Sequence, residues 1–244
     1  MKPIFGKAPP LGIRLTLAVI ASMTLILVDG QTSSMTKARS VMETAVGGLY
    51  YLANGPRTVL DGVSSNLVDT NKLLIENNIP LFAAHTNMDT AKGGINDKLA
   101  EIFELTDIKI LDQHTDDSSA GLGRYGRLEK TIKLGDFAEH CKKILGTPFL
   151  RVSGDFKKDI NTVAVASGSC SEIIPLAFEK GADVIITGDM KYHNMIDMTE
   201  LGICIIDAGH YPTEICVMDI FEDILKDTDI EIIKSENKDI FKLV

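Results

Sequence analysis

Two short polar strings far apart in the chain carry the side chains best suited to chemistry. One is His85-Thr86-Asn87-Met88-Asp89; the other is Gly209-His210-Tyr211-Pro212-Thr213-Glu214. Each follows an apolar run that reads as a strand, Ile79-Pro80-Leu81-Phe82-Ala83-Ala84 and Ile203-Cys204-Ile205-Ile206. Open α/β sheets place their sites just beyond strand ends of this kind. Imidazole nitrogen and carboxylate oxygen together suit a borderline divalent cation such as Zn²⁺, Mn²⁺ or Fe²⁺. The plainer alternative is a set of polar loop and cap residues. In the second string Pro212 suits the first position of a helix, and Ile215, Met218, Phe221 and Leu225 keep helical spacing. His210 then sits at the strand exit and Glu214 in the first helical turn. A carboxylate there is kept ionised by the helix dipole, which favours metal binding.

Three further strings deserve the same double reading. Ser167-Gly168-Ser169 lies between a strand and a helix. The amides around Ser167 and Ser169 can hold an anion, or the string is an ordinary Gly/Ser turn. Gly121-Leu122-Gly123-Arg124 either reaches a phosphate through Arg124 or forms a surface hairpin. Asp189, just after a strand, either faces a pocket with His193 or caps a helix. His85 can carry a proton or orient Asp89. His114 and His140 have no such setting and read as surface or core residues.

The elements that must position these residues alternate. Helices are expected over 97–105, 136–145, 171–179, 194–201 and 213–226. Strands are expected over 108–111, 130–134, 149–153, 162–166, 184–187, 203–206 and 230–234, with a glycine-rich link at Gly121, Gly123 and Gly126. Short apolar strands alternating with helices imply an α/β fold with a mixed, largely parallel sheet and helices on both faces.

From about Lys72 onward the chain resembles the dinuclear-metal GTP cyclohydrolase I type 2-like family, also called Nif-three-like. The matching stretches are the His85–Asp89 string followed by Gly93-Gly94-Ile95-Asn96-Asp97, then Gly121–Arg124, Thr187-Gly188-Asp189-Met190-Lys191-Tyr192-His193, and Asp207-Ala208 leading into the second string. The resemblance implies metal ligation by Asp89, His210 and Glu214. It also implies pocket positions for Asp189 and His193, a nucleotide-like small-molecule substrate, a cytoplasmic domain and a ring-like homo-oligomer. The family's other two ligands are adjacent histidines on an upstream strand end. This chain's histidines are at 85, 114, 140, 193 and 210, with none earlier. Three of the five expected ligands therefore remain, and at most one tightly bound Zn, Mn, Fe or Mg ion is expected.

Where that upstream half would stand, the chain has Leu15–Val28, a 14-residue run without a charge, preceded by Lys2, Lys7 and Arg14. It reads as an uncleaved signal anchor, with membrane contact over residues 11–28, or as a buried hydrophobic helix. The opening resembles the membrane-anchored rod-shape-determining MreC family through Met1-Lys2-Pro3-Ile4-Phe5, Ile13-Arg14-Leu15, Thr44-Ala45-Val46, Asn54-Gly55-Pro56-Arg57 and Leu60-Asp61-Gly62-Val63-Ser64. The chain reads as a chimera: residues 1–70 an anchor-like helix and linker, residues 71–244 a metal-binding α/β domain, with inner-membrane anchoring through the N-terminus.

Charge supports the split. Residues 1–70 hold six Lys/Arg and four Asp/Glu, a net of +2; the remaining 19 and 30 give −11, together the −9 of the whole chain. An acidic second part with no basic cluster argues against nucleic acid as a partner. The four cysteines, at 141, 170, 204 and 216, show no C-x-x-C spacing and read as reduced. Two functions fit. One is a metal-dependent hydrolase or cyclohydrolase, in which a metal-activated water attacks a polarised carbon or phosphorus centre and His85 or His193 moves protons. The other is a non-catalytic scaffold or membrane-tethered module with a degraded site.

Overall fold

A computed structural model of the chain describes residues 13–20, 23–29, 81–113, 118–227, 230–234, 239 and 241. His114 and the expected linker over residues 30–70 lie outside the described residues. The chain divides into two compact units, Met1–Ala84 with Phe221–Asn237, and His85–Ile220 with Lys238–Val244.

The first unit is built on a four-stranded sheet of β1 (Ile13–Ile20), β2 (Met23–Asp29), β3 (Leu81–Ala84) and β10 (Ile230–Lys234) in the order β10-β1-β2-β3. β1 and β2 pair antiparallel, from Arg14 opposite Asp29 to Ile20 opposite Met23, and β10 pairs parallel with β1. The expected hydrophobic helix over Leu15–Val28 is therefore replaced by two strands. A continuous apolar run fits either state when periodicity is the guide, and pairing on both sides satisfies the backbone groups of β1 and β2 without a helix. Among the described residues no helix is long and apolar enough to cross a membrane.

The second unit carries a six-stranded sheet in the order β4-β5-β7-β8-β9-β6. Its strands are β4 (Thr106–Asp112), β5 (Leu122–Lys133), β6 (Arg151–Ser153), β7 (Asp159–Val165), β8 (Val184–Thr187) and β9 (Cys204–Asp207). β7–β8 and β8–β9 are parallel, whereas β4–β5, β5–β7 and β6–β9 are antiparallel. The expectation of a largely parallel sheet is corrected to a mixed sheet with mostly antiparallel pairings. The difference comes from β5, which runs straight through the stretch expected to be a glycine-rich link. Gly126 belongs in this strand because the neighbouring backbone comes close: a Cβ there would stand 2.6 Å from the Thr106 carbonyl oxygen.

The helices follow from apolar spacing. α1 (Thr86–Thr90) and α2 (Ile95–Ile102) follow β3; α3 (Leu134–Ile144) buries Leu134, Phe137, Ala138 and Cys141, one stripe of the 3.6-residue period. α4 (Ile174–Glu179) follows a 3₁₀ turn, α5 (Tyr192–Glu200) follows β8, and α6 (His210–Glu214) and α7 (Val217–Leu225) follow β9. Val184, Ile185 and Ile186 are all fully buried, so successive residues of β8 are covered on opposite faces of the sheet. Ile185 and Ile205 pack with Ile174, Ala177 and Leu111 in one cluster. Cys141, Cys170, Cys204 and Cys216 are all free and buried, matching the reduced state expected.

This topology fixes the place of the site. The parallel strands β7, β8 and β9 end at Val165, Thr187 and Asp207, and Ser167, Asp189 and His210 lie two or three residues beyond those ends. For the first unit, deleting residues 1–30 removes the two inner strands of its sheet and strips β3 and β10 of their partners. The expected result is a loss of strand signal by circular dichroism and a Tm lower by at least about 5 °C; an unchanged melt would show that β1 and β2 do not hold that sheet.

Candidate metal centre

The site grows from the loop after β9. His210 and Glu214 bound α6, and their i, i+4 spacing puts them on one face of a single helical turn. The helix starts at His210, two residues before Pro212, because Gly209 (φ +83°) turns the chain into it. Thr213, fully buried, ties this turn to the loop after β7: its hydroxyl bonds to the carbonyls of Gly209 and His210 (3.0 and 2.8 Å) and accepts the Gly168 amide (3.0 Å).

His210 Nδ1 lies 2.6 Å from Asp189 Oδ2. Its other nitrogen, Nε2, stands 2.9 Å from Glu214 Oε1, yet the carboxylate lies off the line of a hydrogen bond, and this buried Nε2 has no hydrogen-bond partner. Glu214 is itself only 7 % exposed. Gly168 (φ +62°) lies against the pair: a Cβ there would come within 2.5 Å of Glu214 Oε1 and 3.1 Å of His210 Nε2. Carboxylates on both sides, Glu214 the stronger influence, raise the His210 pKa to about 9 against the opposing effect of burial.

Asp89 comes from the other string, on α1. Burial raises its carboxyl to about 6; the Ser167 hydroxyl, donating to Oδ1 at 2.7 Å, works the other way, while the charge of Glu214 adds to the rise and those of His85 and His210 oppose it. Asp89, Glu214, His85 and His210 thus lie within electrostatic reach of one another. Asn96, fully buried on α2, fixes this side: its amide nitrogen donates to the Asp89 carbonyl (2.9 Å) and the Ser167 hydroxyl (3.3 Å), and its oxygen accepts the Ser167 amide (2.9 Å).

The structure therefore brings together Asp89, Ser167, Asp189, His210 and Glu214, with the exposed His85 beside Asp89. His193 is exposed on α5 with its ring edge-on to Tyr192 (5.9 Å between centroids), outside this hydrogen-bonded group. Ser169 is exposed, and the anion cradle expected around it is corrected: the Ser167 and Gly168 amides are already taken by Asn96 and Thr213. Arg124 is corrected from a phosphate-reaching residue to a structural one. It is buried, its Nε and Nη2 pair with the Asp97 carboxylate, and its remaining donors reach the carbonyls of Gly121 (2.7 Å), Gly123 (2.9 Å) and Ala91 (3.3 Å). The guanidinium's five N–H groups are spent inside the protein. The roles of Asn96 and Thr213 escape the sequence reading, and Gly168 reads there as part of an anion turn, because these roles depend on partners 45 to 71 residues away.

The donor set suits a divalent metal in part. A buried imidazole nitrogen without a hydrogen bond, facing a buried carboxylate oxygen across a cradle that only glycine leaves open, is the arrangement a cation would complete. Among the described residues, however, no three His, Cys, Asp or Glu side chains are gathered closely enough to hold a metal ion unaided.

With this geometry established, comparison identifies the chain. The sequence profile of the Duf34/NIF3 (NGG1p interacting factor 3) family matches residues 62–240. The chain belongs to that family. A GTP cyclohydrolase 1 type 2 homolog of Clostridium perfringens is 39% identical over 175 residues, 70% of this chain and 67% of that protein. The solved structure of reduced HcgD from Methanocaldococcus jannaschii is 35% identical, with a TM-score of 0.61 over 75% of this chain and 70% of that one. The N-terminal part is similar instead to the cell shape-determining protein MreC of Haemophilus influenzae, 75% identical over 79 residues, which are 32% of this chain and 22% of that protein. The chain thus joins stretches similar to two unrelated proteins, and spans about a fifth of the length of the second.

The reassignment of Arg124 has a direct test. Arg124→Ala removes the ion-pair partner of Asp97 and one donor from each of three carbonyls, so stability in urea should fall by about 3–5 kcal/mol. A variant as stable as the parent would return Arg124 to the list of ligand-binding residues.

Proposed function

We propose that this NIF3-family chain binds one divalent metal ion through His210, Glu214 and Asp89 and uses it to hydrolyse a nucleotide-like small molecule. The observation that carries the reading is the pairing of the buried His210 Nε2 with Glu214 Oε1 at 2.9 Å, an imidazole nitrogen and a carboxylate oxygen close enough to share one cation. Asp89 would complete the ligand set from α1, with its Oδ1 steadied by Ser167. Such an ion supplies Lewis acidity at a polarised carbon or phosphorus centre. The chain's own residues bind and orient it: Asn96 and Ser167 hold Asp89, Thr213 holds the His210 turn, and exposed His85, whose charge acts on Asp89, would move a proton. The nucleotide-like substrate follows the name shared by the relatives, and a homo-oligomer and a cytoplasmic setting follow the same resemblance. The similarity to the cell shape-determining protein supports a membrane-associated origin for the first part.

A second reading, a non-catalytic module, is favoured by a specific observation. No three candidate ligands among the described residues are gathered tightly, and the paired upstream histidines are missing from the sequence. The full chain, purified and dialysed, should retain no more than about one divalent ion, less after Asp89→Ala or His210→Ala, and should turn GTP over weakly or not at all. Two tight ions by elemental analysis would mean that other ligands exist. Strong metal-dependent GTP turnover abolished by Glu214→Gln would eliminate the non-catalytic reading.

Metal capture should also be proton-coupled. At pH 7.5 a His210 titrating at about 9 is protonated and an Asp89 titrating at about 6 is ionised. Binding then expels about one proton per ion, rising to about two at pH 5, where both groups carry protons. Zn²⁺ affinity should fall as pH drops, more steeply below 6. Proton release in weak buffer measures this, and pH-independent binding would exclude His210 as a ligand.

A further inference from the structure

We propose that Asp189 is a positioning residue: its carboxylate fixes the His210 imidazole in the tautomer that carries its proton on Nδ1 and turns the Nε2 lone pair toward Glu214, and Asp207 holds the two loops in that relation. This rests on the metal reading above and assigns the residue that prepares its histidine ligand.

The backbone of Asp189 makes the first argument. It adopts φ +52°, a left-handed conformation that aspartate tolerates better than most L-residues but still less well than glycine, and that Glu104 and Asp107 also adopt. Strain of this kind persists where the surroundings enforce it, and it clusters at functional sites. Asp189 is exposed, so burial does not explain it. Helix capping does not either: the N-cap of α5 is Lys191, and no side chain hydrogen-bonds there as a cap. The contact its side chain makes is with His210 Nδ1, at 2.6 Å.

The second argument is the clamp behind it. The carboxylate of Asp207, 2 % exposed at the end of β9, accepts the Met190 amide on Oδ2 and the Gly209 amide on Oδ1, each at 3.0 Å. These are the neighbours of Asp189 and of His210. Arg151, on β6, bonds the same carboxylate and also the Met190 carbonyl at 3.0 Å. The buried Asp207 carboxylate, paired with the half-exposed Arg151, thus ties both loops together, and the Asp189–His210 contact is set by the fold rather than by two mobile side chains. A carboxylate on the far nitrogen of a ligating histidine fixes its tautomer and orientation, and losing such a partner costs about 10- to 100-fold in metal affinity.

The test uses the full chain, titrated with Zn²⁺ alone. Asp189→Gly relieves the backbone strain, so the metal-free variant should melt at or above the parent temperature, yet bind Zn²⁺ at least about tenfold more weakly. Asp189→Glu, which can still offer a carboxylate, should recover part of that loss. Ring-nitrogen NMR of the metal-free protein, above the pH at which His210 titrates, should show the Nδ1–H tautomer in the parent and a mixture in Asp189→Gly. Unchanged Zn²⁺ affinity in Asp189→Gly, or an Nε2–H tautomer in the parent, would overturn the proposal. If the parent itself takes up no Zn²⁺, the metal reading fails, and the ring-nitrogen spectra still decide the tautomer.

Discussion

Much of this site depends on one buried carboxylate. Asp207 takes two backbone amides from two loops and a guanidinium from a third element. Burying a charge is tolerable only when it is paired and hydrogen-bonded, and here the requirement works as architecture: any arrangement that satisfied Asp207 differently would part Asp189 from His210. The parallel pairs β7–β8 and β8–β9 bring the three loops to one end of the sheet; Asp207 then sets the register between two of them.

A second polar lock acts on the opposite side. Arg124 and Asp97 join α2 to β5, and the neighbouring Asn96 carries that order to Asp89 and Ser167. Arg124 spends all its donors within the protein, whereas Arg151 bonds through Nη2 and leaves the rest of its guanidinium toward solvent. Two groups that depart from ordinary pairing or titration, His210 Nε2 and the carboxyl of Asp89, belong to this site. Local rules of polar satisfaction are broken where function is expected and kept in the support around it.

The same contrast bears on the chimeric character of the chain. The contacts described at the site of the NIF3-type part run between residues from His85 to Glu214. The sequence carries no histidine before His85. Among the described residues His210 and Glu214 face each other, and no three candidate ligands close around a common point.

How much was legible follows from the range of the interactions involved. The i, i+4 relation of His210 and Glu214 is a local property of one helical turn, and strands such as Val184–Thr187 and Ile230–Lys234 are apolar runs short enough to read directly. The placement of both strings beyond strand ends was legible for the same reason. The tertiary structure decided the rest. Leu15–Val28 is strand because partners lie on both sides, which an apolar run cannot announce. β5 passes through its glycines because a neighbouring backbone approaches, and its antiparallel pairings change the character of the sheet. Arg124 looked like a phosphate hand and is a structural bolt, while Asn96, Asp207 and Asp189 owe their roles to partners that long-range packing alone brings within hydrogen-bonding distance. Sequence spacing reports neighbours along one element; the destination of a polar side chain across elements is set only when the sheet order is complete.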